Sequence, residues 1–253
     1  MEHRKRRSVR YGAQVWLLAA AFVVVQNSQP VAAKDVPKKE QFVALQLLVN
    51  GTRLNKFEEY DKALNLLNKY VALNKTDARG FYQRAVSYRA LGKYQNSIAD
   101  LDIAIRFNPR YEAALYERAR TYENIGQSEK SIPDYTACIE ISPRDVDTIT
   151  HRAAAYERIK QYPKAVADYT TIISRVPEDE DALRSRGDVY YKMGEYKHAV
   201  RDYTESIKQM NDVALTYNSR ARAYTKLGQK DLAAKDFAKA TELGYVEHSK
   251  HAP

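Results

Sequence analysis

Five arginines and five aspartates stand in two matched columns. Arg84, Arg118, Arg152, Arg186 and Arg220 recur at one fixed interval, and each is answered by Asp100, Asp134, Asp168, Asp202 or Asp236 at one constant offset. A guanidinium and a carboxylate can share two parallel charge-assisted hydrogen bonds. Catalysis would single out one such pair, whereas the same pair in five places is what an orienting contact on a repeated scaffold looks like. Each pair is therefore expected to bridge two helices, within a unit or across to the next. The other residue types that carry chemistry are dispersed. His151 and His198 lack a partner ligand in register, and His248 and His251 lie in a terminal tail. Cys138 is the single thiol, at a position filled elsewhere by Ala104, Ser206 or Ala240, so it reads as a small packed side chain without an intramolecular disulfide. The run Glu178-Asp179-Glu180-Asp181 covers a connecting turn and a helix start, where negative charge is favoured. Gly-x-Ser-x-Gly, phosphate-loop, His-Glu-x-x-His and Cys-x-x-Cys patterns do not occur. Neither catalysis, a metal nor a cofactor is expected.

The elements that hold these columns follow from the same period. Ala85, Ala119, Ala153, Gly187 and Ala221 recur beside Tyr88, Tyr122, Tyr156, Tyr190 and Tyr224, with no residue gained or lost between copies. Phe81, Ala85, Tyr88 and Leu91 mark one face of a first helix, A, and Gly92 supplies its left-handed stop. Ile98, Leu101, Ala104 and Ile105 mark a second helix, B, which Pro109 ends. Glu58 and Lys160 replace the turn glycine in two units, at a modest cost. Small residues such as Ala85, Ser97 and Ala104 leave room for a facing Tyr88 or Leu101; Tyr70 and Ile172 break that rule and call for local shifts. Pro133 falls near the end of a first helical turn and predicts at most a local distortion. Six units are expected, 44–77, 78–111, 112–145, 146–179, 180–213 and 214–247, the first a degenerate copy without the Arg and Asp. In the last, Ala234 and Thr241 stand where other units carry apolar pairs such as Ile98 and Ile105, which reads as a cap, with residues 248–253 a tail.

Before the units lies a leader. Arg4-Lys5-Arg6-Arg7 and Arg10 form a basic head, Val15 to Val25 an apolar run, and Val31-Ala32-Ala33 a small-residue end. That order predicts a signal peptide over residues 1–33, cut after Ala33, and an exported chain, periplasmic or extracellular. An uncleaved membrane tether through residues 12–25 is the alternative; its apolar run is short for a bilayer core about 30 Å thick. Residues 34–43 are expected to be a linker. The leader, with five basic residues against one acidic, carries +4 of the formal +9, leaving +5 spread thinly over the rest. Such a mild excess does not imply nucleic acid. Most of the twenty tyrosines fall in repeating columns, which makes them architecture and not a base-stacking surface.

The repeating register from Ala44 to Glu247 closely resembles the tetratricopeptide repeat family. Departures are the arginine where the family more often has leucine, and loss of the closing proline at Lys75, Asn211 and Tyr245. The resemblance implies an all-α, right-handed superhelix of six helix-turn-helix units, with a concave groove lined by the A helices that takes a protein or peptide. It also implies which positions of each unit face the groove. Here these are an apolar stripe of Leu45, Leu48 and Val49 with Phe42 one turn earlier, followed by Arg79, Tyr82, Arg89, Tyr116 and Arg120. Aromatic and arginine side chains beside an apolar patch are the usual makings of a binding hot spot. The lysine, asparagine and arginine set with which some relatives clamp chaperone tails is not present. The expected function is an exported, non-enzymatic adaptor, within an envelope assembly. Alternatives are a structural element that self-associates through its first helix, and a noncatalytic subunit of an exported enzyme.

Overall fold

The structure, a computed structural model, describes residues 38–246, and the leader and the tail lie outside the described residues. Twelve helices follow one another: α1 (Lys38–Lys56), α2 (Tyr60–Leu73), α3 (Ala78–Ala90), α4 (Tyr94–Phe107), α5 (Glu112–Asn124), α6 (Ser128–Ile141), α7 (Val146–Arg158), α8 (Tyr162–Arg175), α9 (Glu180–Met193), α10 (Tyr196–Gln209), α11 (Ala214–Lys226) and α12 (Lys230–Glu242). Among the described residues there is no strand. Odd-numbered helices are the A helices and even-numbered ones the B helices. From Ala78 to Ala214 the A helices start at one fixed interval, and from Tyr60 to Lys230 the B helices keep the same interval. Every A helix packs on its own B helix and every B helix on the next A helix, so the chain is an all-α superhelix of helix-turn-helix units.

One αL residue closes each A helix. Gly92, Gly126, Gly194 and Gly228 have φ of 70°, 73°, 82° and 74°, and Glu58 and Lys160 are held at 61° and 60° in the same place. The next residue donates its N–H back into the helix: Lys93 to the carbonyl of Tyr88 at 2.8 Å, Gln161 to that of Tyr156 at 2.8 Å. Carbonyls that would otherwise be orphaned are thereby satisfied, so the turn geometry is imposed by hydrogen bonding even where the residue type resists it. Asp77, Asp145 and Asp179 cap α3, α7 and α9 through their carboxylates. Helix α6 runs on through Pro133 without a break in its span.

Where units meet, bulk is matched by its absence. The ring of Tyr203 lies over Gly187, where a Cβ would stand 2.8 Å from it, closer than any packed pair tolerates. Tyr70, expected to force local shifts, is instead accommodated by Gly80, whose missing Cβ would sit 2.4 Å from the ring. The oversized residue and the compensating glycine face each other across the first unit boundary. Ile172 is enclosed without such a partner, in a core with Ile149, Ala153 and Tyr169.

The expected linker over residues 34–43 needs correction, because α1 begins at Lys38 and is continuous to Lys56. Lys38-Lys39-Glu40-Gln41 are all good helix formers, with an acid in the first turn, so the first A helix extends backward beyond the repeat.

Candidate functional site

The Arg and Asp columns are structural. In all five units the arginine on helix A binds the aspartate on its own helix B through two bonds of 2.6–3.0 Å. The aspartates are buried. A further nitrogen of each arginine reaches back to the preceding B helix, to Asn68 at 3.0 Å, Asp102 at 2.6 Å, and Thr136, Thr170 and Thr204 at 3.1 Å. One guanidinium thus ties three helices, within the unit and to the one before it. Rings of Tyr88, Tyr156 and Tyr224, one helical turn on, lie under it at 5.8–5.9 Å. This is what the departure from leucine supplies. In the first unit, where Asn50 and Leu66 replace the pair, Asn55 donates to the carbonyl of Gln83 at 2.8 Å and accepts from Ser87 at 2.6 Å.

Side chains that join one A helix to the next mark the face those helices share. Arg89 pairs with Glu117, Glu123 with Arg158 at 2.6 Å, and Glu157 with Lys192. Tyr116 meets His151 edge to face, and His151 stacks on Tyr135 with centroids 5.7 Å apart. Tyr135 Oη donates to Glu123 at 3.0 Å. Burial lowers the His151 imidazole below its ordinary range, and Arg120 and Arg158 act in the same direction against Glu123 and Asp147.

The structure divides the candidate residues. Phe42, Leu45 and Val49 are 61%, 51% and 56% exposed and follow at i, i+3 and i+7 along one face of α1. Leu48 must be withdrawn from the binding set: it is 6% exposed and belongs to the core with Leu67, Tyr70 and Phe81. A one-residue step turns the helix by about 100°, which is enough to carry Leu48 from the open face into the interface with α2 and α3. Arg79 is exposed but engaged by the cap carboxylate of Asp77 at 2.7 Å, and Arg89 by Glu117. Tyr82 packs on Tyr111 at 5.1 Å, and the Arg120 guanidinium lies over the ring of Tyr116 at 5.8 Å. These aromatic and basic side chains are therefore held in fixed positions, with only their edges open.

Two pockets open beside the A helices. One, of about 400 Å³, is lined by Glu112, Ala113, Tyr116, Asp145, Asp147 and Thr148. Its acidity is accounted for by a helix cap and two first-turn carboxylates. The other, of about 380 Å³, is lined by Asp188, Tyr191, Lys192, Tyr203, Leu215, Ser219 and Arg222. Sequence reasoning singles out none of these. A signal is present nonetheless, because Tyr191 stands one repeat beyond Glu157 and two beyond Glu123, where an aromatic ring follows two acids in register. Cys138 is buried at 3.5 Å from the carbonyl of Glu112, its thiol pushed up to about 12 by burial, so it is no nucleophile. Among the described residues no group of three or more His, Cys, Asp or Glu is placed to hold a metal, and no helix is long and apolar enough to cross a membrane.

Tandem helical hairpins of fixed length, joined by a repeated interhelical clamp and presenting their first helices on one face, define a protein-interaction scaffold. Two sequence profiles of the tetratricopeptide repeat match the chain, one at residues 78–111, 112–145 and 214–243 and the other at 152–213, together more than half its length. The chain belongs to the tetratricopeptide repeat family. Solved structures with the same fold include the MamA protein, at 22% identity and TM-score 0.63 over 67% of this chain and 92% of that one. YrrB, described as a TPR protein with an unusual peptide-binding site, matches at 15% identity and TM-score 0.61 over 70% and 92%. The C-terminal part of a TPR repeat-containing protein from Cytophaga hutchinsonii matches at 21% and 0.69 over 78% of each.

Proposed function

We propose that this chain is an exported adaptor that holds an extended segment of another protein along the face formed by its A helices. The observation that carries this reading is the exposed Phe42, Leu45 and Val49 stripe on the first A helix, together with the fixed rings and guanidinium of Tyr82, Tyr116 and Arg120 on the next two. Apolar area open to water at one end, with pre-positioned aromatic and arginine groups beyond it, lowers the ordering cost that a partner must meet. YrrB's described peptide-binding site lies on the same fold and supports the same use. Export rests on the basic, apolar and small-residue order of residues 1–33.

A photoreactive side chain at Tyr116 should give adducts in the compartment where the chain resides, and one at exposed Lys164 on α8 should not. Changing Leu45 and Val49 to Asp should abolish the Tyr116 adducts while leaving the circular dichroism unaltered. Adducts at both sites alike, or none at Tyr116, end the reading. Recovery of a chain beginning at Lys34 from outside the cytoplasm tests export, and retention of Met1 in the cytoplasm rejects it. The same α1 stripe favours a second reading, self-association. Light scattering of the chain alone, compared with its Leu45→Asp Val49→Asp form, separates the two.

A further inference from the structure

Two of the cross-unit ion pairs on the A-helix face lie in register, and the series stops at the next step. Glu123 is bound to Arg158, and Glu157, one repeat later, to Lys192. That next step would join residue 191 to Lys226, but residue 191 is a tyrosine. Among the described residues neither Lys226 nor the neighbouring Arg222 is paired with a carboxylate, and both are exposed. The Arg222 guanidinium lies over the Tyr191 ring at 5.3 Å, which fixes it at the wall of the 380 Å³ pocket.

Of the charged side chains that line that pocket, one has no carboxylate at ion-pair distance among the described residues. Lys192 is matched by Glu157. Asp188 accepts a hydrogen bond from Tyr203 Oη at 2.7 Å and lies 3.6 Å from Arg184, which Asp181 on the outer side holds at 2.7 Å. Arg222 alone has no carboxylate at ion-pair distance, and its guanidinium stands open beside the Leu215 and Tyr191 side chains. We infer that this pocket takes an aspartate or glutamate side chain from the bound polypeptide, completing the series with a carboxylate that the chain itself withholds. A planar guanidinium can meet that carboxylate with two parallel bonds. The apolar end of the groove at α1 and an acid-accepting pocket at α9 and α11 then select a segment that is apolar at one end and acidic at the other.

The inference rests on the reading of the A-helix face as a polypeptide site, and its test separates the two. Three fluorescein-labelled peptides of one design, blocked at both ends and differing only in a run of Glu, Gln or Lys, are titrated into the full chain at about 0.15 M salt, where distant charges are screened. The Glu peptide should bind about tenfold more tightly than the other two. Arg222→Glu should remove that preference, and Arg110→Glu, an equal charge change on an exposed turn, should keep it. Tyr191→Glu should lower Glu-peptide affinity about tenfold, because it places an internal carboxylate beside Lys226. Should Arg222→Glu not fold, Arg222→Gln is read in its place. Equal affinities for the three peptides, or a Glu preference that is the same in the Arg222 and Arg110 variants, overturns the proposal. A Gln peptide that gains the preference once its terminal carboxylate is freed overturns the side-chain assignment. Tyr116 adducts without a Glu preference would leave the binding face standing and remove only this pocket.

Discussion

The molecule carries two sets of ion pairs, and they obey different rules. Inside the hairpins the Arg and Asp pairs are identical in five units, bidentate, and closed to solvent on the aspartate side. On the A-helix face the register holds for only two steps: Glu123 with Arg158 and Glu157 with Lys192 repeat at one offset, Arg89 pairs with Glu117 at another before them, and the series lapses at Tyr191. Selection for a lattice produces the first pattern, since each copy solves the same packing problem. A surface shaped for one particular partner would have no reason to repeat, and the second pattern agrees with the proposed groove. The contrast teaches where to look in such a protein: under the proposed reading, the partner is met where the period fails on the shared face.

The sharpest way to break that distinction is to cut one pair of each kind. Asp168→Ala leaves the Arg152 guanidinium in the hairpin interior with only Thr136 as partner, so it should cost about 3–5 kcal/mol. Arg158→Ala removes the exposed member of the Glu123 pair but leaves that enclosed carboxylate its hydrogen bond from Tyr135, and should cost about 1–2 kcal/mol. Urea denaturation of both variants measures the difference, and equal costs would erase the distinction. A second contrast lies one residue apart on α1. Leu48→Ala empties a core position and should cost about 2–5 kcal/mol, whereas Val49→Asp should change stability by no more than about 0.5 kcal/mol while removing partner adducts.

Not every break in the period is functional, and Lys160 sharpens that point. It occupies the left-handed turn position at φ 60° away from the A-helix face, where its neighbours in register are glycines. Lys160→Gly should raise stability by roughly 1 kcal/mol, net of the extra unfolded-state freedom, and leave binding untouched. A loss of binding would mean that this turn belongs to the site.

How far the sequence discloses this protein can be judged from particular residues. Helix order, turn residues and the Arg and Asp contact all follow from the repeating register, because each is a local or nearest-neighbour event that the repeat states several times over. Leu48 misleads because its register position is only half-buried at Tyr82 and Tyr116 but closed over in the first unit, as it is again at Asn218 in the last. The opening turn and a half of α1 reads as linker since it falls outside the repeat, though its helix propensity is plain. Gly80 opposite Tyr70 escapes notice because the two lie in different units, and only packing shows them as complements. The Arg222 pocket depends on a missing carboxylate, and an absence has no motif.

The smallest effect concerns His151, the titratable group at the centre of the A-helix face. It is stacked on Tyr135, has Tyr116 at its edge, and has Nδ1 3.7 Å from Glu123. Burial holds its folded pKa below the unfolded value of about 6.5, with Arg120 and Arg158 opposing protonation and Glu123 and Asp147 favouring it. Between those two values the unfolded chain binds more protons than the folded one, so stability falls as the pH drops from about 6.5 toward the folded value, and is fully present above 6.5. Asp77 does not enter this window; burial alone would raise it, but hydrogen bonds from Arg79 and Tyr70 outweigh that and hold its carboxyl down at about 2. The urea midpoint of the chain should therefore decline between about pH 7 and pH 5 by more than that of His151→Gln, which keeps a planar polar group there but cannot titrate. Parallel pH profiles for the two would show that the imidazole is as easily protonated folded as unfolded, and that this side chain, like the aromatic rings around it, serves the groove by shape alone.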